Sequence, residues 1–185
     1  MGIWGLETDT GFTSFKFLFE EDKAFFCDLV KQYFDQSKPV NENWRVLLLR
    51  RDEPKKFPDF FSIDETDVIA ISQNAVNKLS LFLTGNIELL PLQTDSGVYY
   101  AMNVLNFVDC LDKKESKYEV TNNGAIINYT FLDFIEKSVG ENKIFKIPEM
   151  PYRVLITQDF AFEIEEEGFK GLFFDSKNNL LWHNE

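Results

Sequence analysis

Apolar and polar residues alternate over several short stretches of this chain, and turn formers or helix caps bound each of them. In residues 87–92, Ile87, Leu89 and Pro91 fall on one face and Glu88, Leu90 and Leu92 on the other, the period of two of a strand. Thr94, Asp95, Ser96 and Gly97 then supply a turn, with Gly97 able to take a positive φ. Residues 98–104 return as a run of β-branched and aromatic side chains. The two arms predict a β-hairpin, although Pro91 weakens the first arm as a central strand. A third extended run, residues 107–112, sets Asp109 and Asp112 among Phe107, Val108, Cys110 and Leu111. Further on, residues 117–120 and 125–131 flank Asn123 and Gly124, and Asn-Gly between such runs is a strong hairpin signal.

The remaining stretches fill in both classes of element. Residues 14–19 alternate as a strand, with Phe15, Phe17 and Phe19 on one side. From Asp22, read as an N-cap, Phe25, Phe26, Leu29, Val30, Tyr33 and Phe34 repeat at helical spacing until Pro39 stops them. The continuous apolar run 44–49 predicts a buried strand, and residues 55–61, broken by prolines but carrying three rings, predict an irregular lid. Residues 68–71 read as a strand. Ser72 caps a helix whose apolar face is Ala75, Val76, Leu79 and Leu83 and whose end is Gly85. Residues 144–147 and 153–156 are short strands of one bent sheet, parted by Pro148 and Pro151. Thr157 caps a last helix through Phe160, Ala161 and Ile164 that Gly168 closes; residues 169–174 give a final strand and residues 177–179 a turn. The sum is an α+β fold: a single domain over residues 1–185, a mainly antiparallel bent sheet and about three helices.

Composition sharpens this picture in three ways. Twenty phenylalanines in 185 residues predict an interior filled by rings that carry no polar atoms to satisfy. A net charge of −12, from 19 basic and 31 acidic residues, repels nucleic-acid phosphates and anionic lipid, and either attracts a basic protein partner or serves solubility alone. Cys27 and Cys110 stand apart among apolar neighbours, as buried thiols do in a reducing compartment. The first residues show no basic region followed by an apolar run, Leu6 stands where a myristoylation motif needs Ser or Thr, and no apolar segment approaches the ~20 residues of a membrane span. The expected compartment is the cytoplasm.

Candidate chemistry is sparse. His183 is the one histidine, which argues against a histidine triad or metal site, and neither GxxxxGK[ST], GxGxxG nor GxSxG occurs. Asp64, Glu65 and Asp67 lack calcium-loop spacing and read as a solvated face. No catalytic residue, cofactor or metal ligand is therefore expected. Asp109 and Asp112 are either turn carboxylates that accept backbone hydrogen bonds or an acid–base pair. Glu163, Glu165, Glu166 and Glu167 form the densest charge run, set against the dipole at the end of their helix. They are either a solvated surface or a patch that pairs with lysines and arginines of a partner. Trp182 is a candidate aromatic anchor, whereas Trp4 and Trp44 belong to the core.

Several of these stretches, IELLPL at 87–92, YYAMNVL at 99–105, VDCLD at 108–112, IFKIPE at 144–149 and GFKGLFF at 168–174, together resemble a family of bacterial immunity proteins encoded beside polymorphic toxins. The first half follows more loosely, through residues 57–60 and the helix after Ser72. The resemblance implies a small cytoplasmic protein of mixed α and β structure that binds a cognate toxin and blocks it without enzyme activity. Two other classes stay open on the residues alone: an enzyme using Asp109 and Asp112, and a scaffold that self-associates through a phenylalanine-rich surface.

Overall fold

The structure is a computed structural model that describes residues 2–53, 55–83, 85–123 and 126–175. The first part of the chain forms β1 (Ile3–Thr8), β2 (Phe15–Phe17), α1 (Glu20–Gln32), β3 (Leu47–Arg51) and β4 (Phe60–Ser62). Next come β5 (Ile69–Ser72), α2 (Gln73–Leu83), β6 (Ile87–Thr94), β7 (Gly97–Val104), β8 (Lys117–Val120) and β9 (Ile126–Phe131). The chain continues through α3 (Glu136–Val139), β10 (Ile144–Ile147), β11 (Met150–Thr157), α4 (Gln158–Glu166) and β12 (Leu172–Asp175). This is the α+β fold that the pattern predicts. Every ladder between these strands is antiparallel except that of β3 with β6.

Six strands form one sheet in the order β2-β3-β6-β7-β5-β4. The sheet curls until its ends meet, because Ile63, the residue after β4, bridges Phe15 in β2, and Asp64 N donates to Phe15 O at 3.2 Å. Inside the curl the rings of Phe15, Phe61 and Tyr99 touch one another, with centroids 4.5, 5.6 and 5.1 Å apart. Each such contact contributes ~0.5–1.5 kcal/mol beyond the area it buries. Leu47, Leu49, Leu92 and Ala101 point the same way, and α1 closes the interior with Phe26 and Leu29.

Local signals placed several elements correctly. β6 and β7 pair from Ile87↔Val104 to Thr94↔Gly97, and Gly97 takes φ +119. Ser72 Oγ accepts from Ala75 N at 3.1 Å and Thr157 Oγ1 from Phe160 N at 3.4 Å, so both caps are used as read. Pro91 sits within the sheet because the β3–β6 ladder engages only Leu92 and Gln93 and asks nothing of the missing N–H. Residues 144–147 and 153–156 share a sheet, as expected, and close on each other as a hairpin in which Ile147 faces Met150.

Elsewhere tertiary contacts moved the boundaries. Asp22 does not cap α1; the helix starts at Glu20, with Phe19 extended before it, and the buried Asp22 carboxylate is taken by Arg45 at 2.6 Å. Nor does Pro39 end it: a 3₁₀ turn at Phe34–Gln36 follows Gln32, and Ser37 takes φ 46. β3 begins at Leu47 rather than at residue 44, since the Trp44 indole turns aside to donate to Pro91 O at 3.1 Å. Its burial alternates, with Leu48 exposed. Residues 55–61 are no lid: Phe60 and Phe61 are buried in β4, and Phe57 alone stays exposed under the Arg51 guanidinium.

The other strands form a four-stranded sheet, β10-β11-β1-β12. One face packs Leu6, Ile144, Val154 and Ile156 against the outside of the curled sheet, with α2 and α4 at its margins. The opposite face packs Ile3, Phe145, Ile147 and Leu155 beneath Val108, Cys110, Leu111 and Tyr129. A two-stranded ribbon, β8 with β9, completes the chain. Gly171 ties the sheets together, at φ +88 and with space for a Cβ only 2.2 Å from Phe60 O. Phenylalanine fills the interior as composition predicts: Phe15, Phe26, Phe34, Phe145 and Phe160 are fully buried.

Candidate functional site

The acidic run lies on the outer side of α4, whose inner side buries Phe160, Ala161 and Ile164. Two of its carboxylates are already matched by the chain's own lysines. Glu163 accepts from Lys143 Nζ at 2.7 and 3.1 Å, and Glu167 pairs with Lys78 at 2.7 Å. Glu165 and Glu166 are exposed, and among the described residues neither forms an ion pair. The patch open to a partner is thus narrower than the sequence suggests. Trp182 lies outside the described residues, as does the turn at 177–179. Trp4 and Trp44 are half-buried against the core, as expected.

Asp112 is a turn carboxylate: its Oδ1 accepts from Lys114 N at 2.9 Å and Glu115 N at 3.3 Å. Asp109 is exposed, so the two do not share an enclosed site. Asp64, Glu65 and Asp67 do not form one solvated face. Asp64 is buried, accepting from Phe17 N at 3.3 Å and pairing with Lys23 at 3.4 Å, while Glu65 and Asp67 are exposed, Asp67 beside a cavity. Among the described residues no cluster of three or more His, Cys, Asp or Glu side chains could hold a metal ion.

That cavity, of about 130 Å³, is the feature sequence reasoning missed. It opens where the two sheets diverge beside the end of α1. Val30, Met102 and Val154 supply apolar wall, and Asp35, Asp67, Lys146 and Tyr152 bring polar groups. Lys146 arrives there because all four residues of β10 are buried and its outer edge is occupied: Lys146 N donates to Asn106 O at 2.9 Å, and Val108 N to Lys146 O at 2.8 Å. The side chain therefore points inward, only 4% exposed, and its Nζ donates to Phe34 O at 2.9 Å.

Burial lowers the Lys146 amine to about 8, with the Asp35 carboxylate pulling the other way. Near neutral pH it still carries its proton by about ten to one, so it is a fixed cation rather than a nucleophile. Burial raises Asp35 above the ordinary carboxylate range, and Lys146 offsets part of that. Asp67 is raised by burial and then by Asp35, against a weaker pull from Arg153. Carboxylates raised in this way gain from any further cation that reaches them.

A second exposed surface is the ribbon. β8 is solvent-facing along its length, and Val120 and Ile126, cross-strand partners, are 50% and 47% exposed beside the 45% exposed Tyr118. An apolar cluster of this kind on a surface strand pair marks a place where a partner can dry the contact. No helix among the described residues is long and apolar enough to cross a membrane.

Residues 91–178 match the model of the immunity protein family Imm11. The match spans just under half of the chain, from within β6 to just past β12, and so contains the ribbon, Lys146, Tyr152 and α4. It falls on the half where the resemblance to immunity proteins is strongest. No curated protein matches the chain.

Proposed function

We propose that this chain is a cytoplasmic immunity protein that neutralises a cognate toxin by stoichiometric association, forming and breaking no covalent bond itself, and that residues 1–185 act as one domain. The observation that carries the reading is the match of residues 91–178 to an immunity protein family. Physical features agree with it. The net charge of −12 favours encounter with a basic polypeptide over nucleic acid or an anionic membrane. The ribbon offers an exposed apolar cluster, and Glu165 and Glu166 offer exposed carboxylates on the other side of the four-stranded sheet, two separate surfaces open to a protein partner. Asp112 accepts two backbone amides, which supports its reading as a turn carboxylate over that of an acid–base partner of Asp109.

The deciding experiment expresses the product of the neighbouring reading frame in a sensitive host, with and without this chain. Growth restored only by co-expression, together with a one-to-one complex of the purified partners, is the expected outcome. Undiminished toxicity, or protection that requires turnover of a small molecule, would refute the reading.

A further inference from the structure

The cavity between the sheets has a charge balance that does not close. Asp35 and Asp67 bring two carboxylates to it and Lys146 one ammonium, already committed to Phe34 O. The nearby Arg153 guanidinium is held by Glu7. One negative charge is thus left over in a partly enclosed space, where an added anion would meet repulsion and an added cation would meet attraction that water screens poorly. Size narrows the occupant further. About 130 Å³ is well below the ~300–1,000 Å³ of a pocket for a cofactor or drug-sized molecule, but it accepts the end of one long side chain. Apolar wall from Val30, Met102 and Val154 suits an alkyl stem, and the Tyr152 ring, 38% exposed, stands at the opening.

We propose that this cavity is a socket for one primary ammonium or guanidinium group on an alkyl stem, held between Asp35 and Asp67. Resting on the immunity reading above, the group belongs to a lysine or arginine of the toxin, which enters the socket as a central anchor of the complex. Asp35, half-buried, is disfavoured in its charged form in the free chain, and Asp67, exposed at the cavity, is raised in the same direction, in part by Asp35 itself, so the incoming cation relieves a cost that the unbound protein carries. An arginine or lysine seated between two carboxylates in a partly enclosed pocket, and covered there by the partner, is the kind of contact that dominates an interface.

The test uses the full chain and small probes, n-butylammonium and n-butylguanidinium, with 1-pentanol as the neutral control. Amide resonances of Asp35, Asp67, Val68 and Lys146 are followed during titration of the wild type and of Asp35→Asn/Asp67→Asn. We expect saturable shifts with the cations, a dissociation constant at least about tenfold weaker in the variant, and no saturation with pentanol. The near-isosteric asparagines keep the fold, which the amide spectrum of the variant verifies. Absence of saturation in the wild type, equal binding of pentanol, or equal binding by the variant overturns the socket. Co-expression with the toxin then reads the partner clause. Protection lost in the variant assigns the socket to the toxin, and full protection by the variant removes the toxin from it. Failure of the wild type to protect counts against the immunity reading and leaves the probe titration to decide the socket.

Discussion

Replacing Gly171 with alanine tests the junction between the sheets and, with it, the attachment of the family-matched half of the chain to the rest. Two costs add there. At φ +88 an alanine suffers the strain of a left-handed conformation, ~1–2 kcal/mol. Its Cβ would also lie 2.2 Å from Phe60 O, a backbone atom that cannot swing aside as a side-chain tip can. The chain must part, and the bonds that parting disturbs are Asp59 N to Lys170 O at 2.8 Å, Phe60 N to Lys170 O at 3.1 Å and Asp9 N to Gly171 O at 3.0 Å. Leaving one buried backbone group unsatisfied costs ~1–3 kcal/mol, so Gly171→Ala should lose about 2–5 kcal/mol. Gly97→Ala is the matched control: it also has a positive φ, +119, but nothing lies within 4 Å of the added Cβ, and strain alone, ~1–2 kcal/mol, should appear. Urea unfolding of both variants gives the comparison directly, as a shift in midpoint at constant slope. If Gly171→Ala loses no more than Gly97→Ala, the close approach between residues 60 and 171 is refuted.

Three other outcomes follow from charge and burial. Lys146 loses its proton near pH 8 in the folded chain and near 10.5 when unfolded, so the unfolded chain binds more protons between those values and stability rises with pH across that window. At 1.36 kcal/mol per pH unit the unfolding free energy of the wild type should gain about 3 kcal/mol on that of Lys146→Met between pH 7 and 10.5, and a constant difference would show that the ammonium is not desolvated. Cys110, fully buried and with its thiol pushed up to about 11 by burial, Glu149 and Asp109, should resist alkylation at pH 8, where its thiolate fraction is only about one in a thousand. A thiol reagent should therefore count one reactive group, the half-buried Cys27, in the native chain and two in denaturant; two in the native state would contradict the burial. Reversing Glu165 and Glu166 to lysine should slow association with a basic partner several-fold at low salt and flatten its salt dependence, while stability moves by less than ~0.5 kcal/mol. Unchanged kinetics would remove the end of α4 from the interface.

What the sequence disclosed was local. Ser72 and Thr157 each bond an amide three residues ahead, and Gly97 turns a hairpin whose arms adjoin it; such features announce themselves in a few consecutive residues. What it withheld depends on distant parts of the chain. Trp44 leaves its strand to reach Pro91, and Asp22 is claimed by Arg45 before it can cap a helix. Lys146 is one residue of a short strand, and its ammonium meets the carbonyl of Phe34, 112 residues earlier. Asp35 lies just past α1 and Asp67 just before β5, and no spacing rule joins a helix end, a loop and a strand into one cavity. The acidic run on α4 was found because it is contiguous; that Lys143 and Lys78 answer half of it was invisible because neither is near it in sequence.

The bridge between Phe15 and Ile63 has a consequence for how such a protein can change. Among the described residues, the meeting of β2 with the end of β4 occupies the two outer strands of the six-stranded layer, so recognition along those edges goes through side chains rather than an added strand. Side chains can be exchanged one at a time without disturbing the hydrogen bonds beneath them, and a lineage pressed by a changing adversary can therefore re-specify its surface while inheriting its frame intact.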